Sequence, residues 1–230
     1  MIFRGIQKTT LIDYPGHVAA TLFLDKCNFR CPFCHNPLLV FEKEENEISE
    51  KEVMDFLKKR KKYLDGICIT GGEPTLHAGL KFFIIRAREL GLKIKLDTNG
   101  TNPKLLRELI EENLLDFVAM DLKAPLEKYD LATNVHTDKQ SVKESIELLL
   151  EDKVDYEFRT TVVPGIIEPE DIKAMGELVK GAKKVSLQQF NNSVPLVDEK
   201  FMKIRPYPVE VLKEMKKEFE KFVKTVELRT

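Results

Sequence analysis

Three of the four cysteines in this 230-residue chain fall within eight positions, in the stretch Cys27-Asn28-Phe29-Arg30-Cys31-Pro32-Phe33-Cys34-His35-Asn36-Pro37. A buried cysteine behaves as a small hydrophobe, and no core demands three of them in one short loop. A metal centre does, because the thiolate is the soft ligand that zinc and iron–sulfur clusters select. Four centres compete. Zinc needs a fourth ligand, and His35, the neighbour of Cys34, is poorly placed to close the same tetrahedron. Cys31-Pro32-Phe33-Cys34-His35 spells the C-x-x-C-H pattern of haem attachment, but that leaves Cys27 idle and requires export. A ferredoxin-type cluster takes a fourth thiolate, and the other cysteine, Cys68, lies in an apolar stretch. What is left is an iron–sulfur cluster on Cys27, Cys31 and Cys34, with one iron open to a substrate or cofactor. A zinc-binding module without catalysis stands as the non-enzymatic alternative.

Other groups able to do chemistry sit where short apolar runs end. Gly71-Gly72-Glu73-Pro74 follows Gly66-Ile67-Cys68-Ile69-Thr70; it is neither G-x-G-x-x-G nor a phosphate loop, and glycine there permits a positive-φ turn. Asp97-Thr98-Asn99-Gly100 closes Lys93 to Leu96 and reads equally as an Asn-Gly turn. Asp121 and Lys123 end Phe117 to Leu122, as a water-exposed charge pair or as an anion site. Arg159 lies within the apolar run Tyr156 to Val163, where a guanidinium needs partners; an inward ion pair and anion binding are both open. One of Gln188 and Gln189 must face inward from the run ending at Phe190.

The elements that position these groups alternate. Val18 to Leu24 is an apolar run that leads into the cysteine loop from a leader, residues 1–16, ending in Tyr14-Pro15-Gly16. Ser49-Glu50-Lys51-Glu52 is a capping box opening a helix. Helices follow from about Gly79 to Leu90, from Asn102-Pro103 through Ile110, up to Glu151, and from Pro169 to Gly181. The segments 124–137 and 191–207 read as polar loops. A last helix carries Leu212, Met215, Phe219 and Phe222, and Val226 to Leu228 is a short terminal strand. Strand and helix alternate about six times, which predicts a parallel sheet with right-handed crossovers. In such folds ligands bind at the strands' C-terminal ends, where these motifs fall. The chain reads as one domain, with 191–230 as a C-terminal loop and helix.

Composition narrows the partners. The formal net charge is −1, so no basic field argues for nucleic acid or an anionic membrane. No apolar run is long enough to span a bilayer and no secretory h-region opens the chain. Clustered cysteines without an export signal point to a reducing cytoplasm.

Cys27-x3-Cys31-x2-Cys34, with aromatic Phe33 before the last cysteine, resembles the signature of the radical S-adenosylmethionine superfamily. The resemblance implies a partial (β/α)6 barrel of the α/β class, open on one side. It implies a [4Fe-4S] cluster on the three cysteines whose open iron chelates S-adenosylmethionine and, once reduced, cleaves it to a 5′-deoxyadenosyl radical. It assigns Gly71, Gly72 and Glu73 to the cofactor's amino group. Asp97, Thr98 and Asn99 fall near the ribose and carboxylate, sometimes around a monovalent cation. Asp121 and Lys123 fall near the carboxylate, Phe33 beside the adenine, and Asn36 in contact with the cofactor; Arg159 joins them as a candidate cofactor contact from its place in the strand.

Leu11-Ile12-Asp13-Tyr14-Pro15-Gly16, the string Cys34-His35-Asn36-Pro37, Gly71-Gly72-Glu73-Pro74-Thr75 and Asp121-Leu122-Lys123 together resemble the activases of glycyl-radical enzymes. The greatest likeness is to the activating proteins of anaerobic ribonucleoside-triphosphate reductase, although pyruvate formate-lyase activating enzymes share much of the pattern. The extra cysteine-rich segment of many activases is missing. The implied substrate is a backbone glycine of a partner enzyme, entering past 124–137 and 191–207, and the implied electron donor is a flavodoxin or ferredoxin. A radical enzyme acting on a small molecule, such as 7-carboxy-7-deazaguanine synthase, is the rival within the superfamily.

Overall fold

The computed structural model describes residues 1–42 and 45–230. Along the chain run β1 (Ile2–Thr10), β2 (Ala19–Leu24), α1 (Pro37–Val40), β3 (Ile48–Ser49), α2 (Glu50–Arg60), β4 (Gly66–Gly71), α3 (Leu80–Glu89), β5 (Lys93–Thr98) and α4 (Pro103–Glu111). They are followed by β6 (Phe117–Asp121), α5 (Tyr129–Thr133), α6 (Lys139–Leu150), β7 (Asp155–Val162), α7 (Asp171–Leu178), β8 (Val185–Gln189), α8 (Val209–Phe219) and β9 (Val226–Arg229). The nine strands of the described residues form one sheet in the order β3-β1-β2-β4-β5-β6-β7-β8-β9. Every neighbouring pair from β2 to β9 is parallel. The sheet does not close on itself, so the α/β barrel is open on one side, as expected.

Local chemistry explains the helices. Ser49 and Glu52 close a reciprocal capping box at the start of α2, with Glu52 N–H donating to Ser49 Oγ at 3.2 Å and Ser49 N–H to Glu52 Oε2 at 2.8 Å. Asn102 caps α4 by accepting from Leu105 N–H at 3.2 Å, with Pro103 at the first helical position. The helices bury their apolar faces against one face of the sheet, where Ile67, Ile69, Ile94, Leu96, Val118, Met120, Val185 and Leu187 are fully buried. Each such side chain is worth roughly 1.5–3 kcal/mol of burial.

The opposite sheet face is polar, which is unusual for parallel strands, normally apolar on both faces. β5 shows it best: in Lys93-Ile94-Lys95-Leu96-Asp97, Ile94 and Leu96 pack outward while Lys95 and Asp97 turn into the barrel. Strand alternation puts such residues on one side, and the same rule brings Glu157, Arg159, Gln188, Glu227 and Arg229 together around the interior.

Three expectations change. The leader is largely a strand: β1 pairs antiparallel with β2, and β3 pairs antiparallel with β1. Only Phe3 and Thr10 of β1 are buried, so it has no apolar run to betray it. The segment 124–137 is partly helical, since it carries α5, and 191–207 holds a 3-10 turn at Glu199–Lys203. The short terminal strand expected at Val226 to Leu228 is present as β9, parallel to β8.

Candidate active site

The cysteine loop leaves the C-terminal end of β2 and is fastened on both sides by backbone bonds. Lys26 N–H donates to Leu39 C=O at 3.1 Å and Arg30 N–H to Thr133 C=O at 2.8 Å. From the C-terminal side, Val197 N–H donates to Cys34 C=O at 3.1 Å and Asp198 N–H to Pro32 C=O at 3.0 Å. The Arg30 side chain turns back onto its own loop, donating to Phe29 C=O at 2.8 Å and to Cys27 C=O. The two segments expected only to frame an entrance therefore also clamp the loop.

All four cysteines are free thiols. Cys27, Cys31 and Cys34 face one cavity of about 470 Å³. Backbone N–H groups point at two of the sulfurs, Phe29 at Cys27 (3.4 Å) and Asn36 at Cys34 (3.5 Å). Burial pushes the Cys27 thiol up to about 11 and Cys31 up to about 12, so ligation must release protons. Among the described residues no group of three or more His, Cys, Asp or Glu side chains is arranged around a single ion. Three soft donors on one loop, facing a cavity wide enough for more than an ion, fit a cluster with an open corner better than mononuclear zinc. Cys68 is not in this cavity wall; it is fully buried, its sulfur 3.6 Å from Asp97 Oδ1 and 3.6 Å from Lys95 Nζ.

The remaining residues singled out by sequence line the same cavity: Phe33, Asn36, Gly71, Gly72, Glu73, Asp97, Thr98, Asn99, Asp121, Lys123 and Arg159. The two glycines are dictated first by the neighbouring strand. A Cβ on Gly71, whose φ is +117°, would lie 2.2 Å from Leu24 O, and one on Gly72 would lie 2.0 Å from Lys26 O. Gly72 and Glu73 N–H groups bond back to Leu24 C=O (2.8 Å) and Lys26 C=O (2.6 Å), so the base of the cysteine loop lies directly against this strand end.

Glu73 is a hub and not an exposed carboxylate. It is 1 % exposed. Its Oε1 accepts from Thr75 N–H (3.1 Å), Thr75 Oγ1 (2.5 Å) and Thr98 Oγ1 (2.8 Å), and its Oε2 from Asn99 N–H (2.7 Å). Burial raises its pKa although those donors oppose the rise. Asn99 continues the web, donating to Asn28 Oδ1 at 2.8 Å, and Asn28 donates to Thr101 Oγ1 at 2.9 Å. Thr98 and Asn99 thus join the β5 end to both the glycine-rich turn and the cysteine loop. Asn36 Nδ2 reaches Gly71 C=O at 3.4 Å, and His35 Nε2 sits 3.0 Å from Asn191 O.

On the far wall the groups are charged. Arg159 donates through Nε to Asp121 Oδ1 (3.0 Å) and through Nη1 to Asp97 Oδ2 (2.9 Å). Lys95 pairs with Asp97 Oδ1, and Lys123 with Asp121 Oδ2 at 2.9 Å. Burial alone would raise Asp121, but Lys123 and Arg159 override it and hold its carboxyl down to about 2. Burial also opposes the low pKa of Asp97, which Arg159 and Lys95 impose. Lys123, with Nζ 6.0 Å from the Phe33 ring centroid, is held charged against burial by Asp121. Asp121 and Lys123 form a partly buried pair and not a fully water-exposed one.

Among the residues around these acids that went unrecognised as site residues in the sequence are Asp13, Lys95 and Gln188. Asp13 and Gln188 line this cavity and a second one of about 480 Å³ on the other side of Asp97 and Arg159, which Lys95 also lines. Asp13 accepts from Thr21 Oγ1 at 2.5 Å; no spacing rule would place a leader residue there. Lys95 was legible, being two residues from Asp97 on one strand face. Gln188 is the inward glutamine; Gln189 Nε2 instead donates to Tyr207 C=O at 3.2 Å.

Comparison with known proteins agrees with this geometry. A sequence model of the radical SAM superfamily matches residues 21–179. A protein of Methanocaldococcus jannaschii, described as a candidate glycyl-radical enzyme activating enzyme, is 37 % identical over all of this chain and 96 % of its own length. The pyruvate formate-lyase-activating enzyme of Streptococcus mutans is 27 % identical, with 88 % of this chain and 81 % of that protein covered. Among solved structures, a radical SAM methyltransferase from Sphaerobacter thermophilus superposes with a TM-score of 0.73 at 15 % identity, over 96 % of this chain and 68 % of that one, a likeness of fold. The chain belongs to the radical SAM superfamily and, within it, to the family of glycyl-radical enzyme activating enzymes. It is therefore an enzyme, and its family implies a [4Fe-4S] cluster and S-adenosylmethionine.

Proposed function

We propose that this enzyme places a radical on a backbone glycine of anaerobic ribonucleoside-triphosphate reductase. The observation that carries the reading is the meeting of three free thiols and the ends of β4, β5 and β6 on one cavity. With cluster and cofactor bound, reduction and sulfonium cleavage supply a 5′-deoxyadenosyl radical able to take a hydrogen atom from a glycine Cα.

Cys27, Cys31 and Cys34 would hold the cluster. Lys123, the terminal cation of the charged wall, stands near Cys31 and Phe33 and would take the cofactor's carboxylate. The Gly71–Gly72 backbone, which lines the cavity, would face its amino group. Glu73 has both oxygens engaged by protein donors, so its part is to fix that strand end. Phe33 would border the adenine and Asn36 would contact the cofactor. Asp97, Thr98, Asn99, Asp121 and Arg159 would shape the wall beside the ribose and carboxylate. The partner's glycine segment would enter from the open side, and a flavodoxin- or ferredoxin-type protein would deliver the electron in the cytoplasm. No helix among the described residues is long and apolar enough to cross a membrane.

The test is anaerobic reconstitution followed by dithionite, S-adenosylmethionine and purified partner. A glycyl-radical doublet in the EPR spectrum with the reductase is the expected result. A doublet only with a pyruvate formate-lyase would move the assignment to that partner. Deoxyadenosine formed with no doublet on either partner would favour a small-molecule substrate.

A further inference from the structure

We infer that Arg159 is a built-in counter-ion that takes the place of a bound monovalent cation between Asp97 and Asp121, so that this enzyme works without an alkali metal ion. The two carboxylates come from β5 and β6 and turn into the same part of the cavity. Two partly buried carboxylates this close repel one another, and a cation between them favours both staying ionised. A bound alkali ion is one solution, and the family resemblance raises it.

The chain supplies another. β7 places Arg159 directly across from Asp121 in the sheet register, and its guanidinium spans both acids, at 3.0 Å and 2.9 Å. The other oxygen of each acid is engaged as well, Asp97 Oδ1 by Lys95 and Asp121 Oδ2 by Lys123. All four carboxylate oxygens therefore have a cationic nitrogen donor of the protein. An additional ion would enter a group that already holds three cations and two acids, and would meet like charge. An alkali ion does not fit these residues as they stand. The guanidinium is also permanently protonated and covalently retained, so dilution or a change of salt cannot remove it.

The inference concerns the cavity assigned above and rests on that assignment only for its activity readout. The experiment uses the full chain, cluster reconstituted, in potassium or in choline at equal ionic strength. Thallium-205 NMR and the thermal unfolding midpoint report ion binding without catalysis. Wild-type protein is expected to show no bound thallium, an unchanged midpoint, and deoxyadenosine rates within about twofold in the two salts. Arg159→Ser opens the place between the acids; its affinity for S-adenosylmethionine should fall about tenfold or more in choline and recover in part with potassium or guanidinium ion. Arg159→Lys keeps a cation and should remain indifferent to potassium. Thallium bound to wild-type protein, or a wild-type rate that needs potassium, would overturn the inference; so would a folded Arg159→Ser that responds to neither ion. The wild-type arm decides the matter even where Arg159→Ser does not fold. An alkali-indifferent protein that cannot cleave S-adenosylmethionine would sink the proposed function and leave this inference standing.

Discussion

The two walls of the cavity are made by different physics. On the side of β2 and β4, position is set by backbone contact and hydrogen bonds from uncharged donors. The glycines lie against Leu24 and Lys26 with no room for a Cβ, and Glu73 gathers four donors into one knot. On the side of β5, β6 and β7, position is set by alternating charges, Lys95, Asp97, Arg159, Asp121 and Lys123. Steric walls tolerate almost no change of shape, whereas charged walls tolerate changes of shape but not of charge. In the proposed function the first would hold the loop that takes the metal, and the second would present surplus positive charge to an anionic group.

Breaking the comparison at its centre should have the largest effect. Cys31→Ala removes one of the three cluster ligands, and deoxyadenosine formation should fall to background, with iron and sulfide content after reconstitution as the check. Protein that kept its cluster would contradict the loop's role. Next is Gly72→Ala on the steric wall. The added methyl would sit 2.0 Å from Lys26 O, and with rigid backbone as the obstacle the cost should be about 3 kcal/mol or more. Denaturant unfolding measures it, and a cost under about 1 kcal/mol would show that this wall yields.

On the charged wall, Asp121→Asn keeps the shape but leaves Lys123 and Arg159 short of an acid. Breaking one partner of a buried pair costs about 3–5 kcal/mol, an upper figure here because Arg159 retains Asp97. S-adenosylmethionine affinity should suffer with it, by equilibrium binding. The pH response of this wall has a definite sign. Asp121 is held down to about 2 from 3.8, so it contributes stability that is fully present above about pH 4 and is lost as pH falls through about 2. Wild-type unfolding free energy should therefore drop between these limits by more than that of Asp121→Asn. The smallest effect sharpens the neutral side: Asn28→Ala loses bonds to Asn99 and Thr101 at about 1 kcal/mol, and its cluster should still assemble.

Much of this was legible before the fold was seen. The cysteine spacing carries its own chemistry, and the strand-to-helix rhythm placed each motif at a strand's C-terminal end. Glu73 shows the limit. As a residue type after two glycines it reads as a carboxylate awaiting an amine; in the fold its oxygens are met by Thr75, Thr98 and Asn99, which come together only when β4 and β5 pair in register. Strand β1 shows another. With few buried positions it has no periodic apolar signal, and only its pairing with β2 makes it a strand.

What the sequence determined alone is local: which residues can ligate metal, where helices cap, where glycine is needed, and which strand residues share a face. Those follow from bond geometry and spacings of a few residues. The tertiary structure decided which charges neutralise one another. Arg159 lies 62 residues from Asp97 and 38 from Asp121, and no short-range rule couples them. Their pairing is a property of parallel strand register, which sets side chains from β5, β6 and β7 a few ångströms apart.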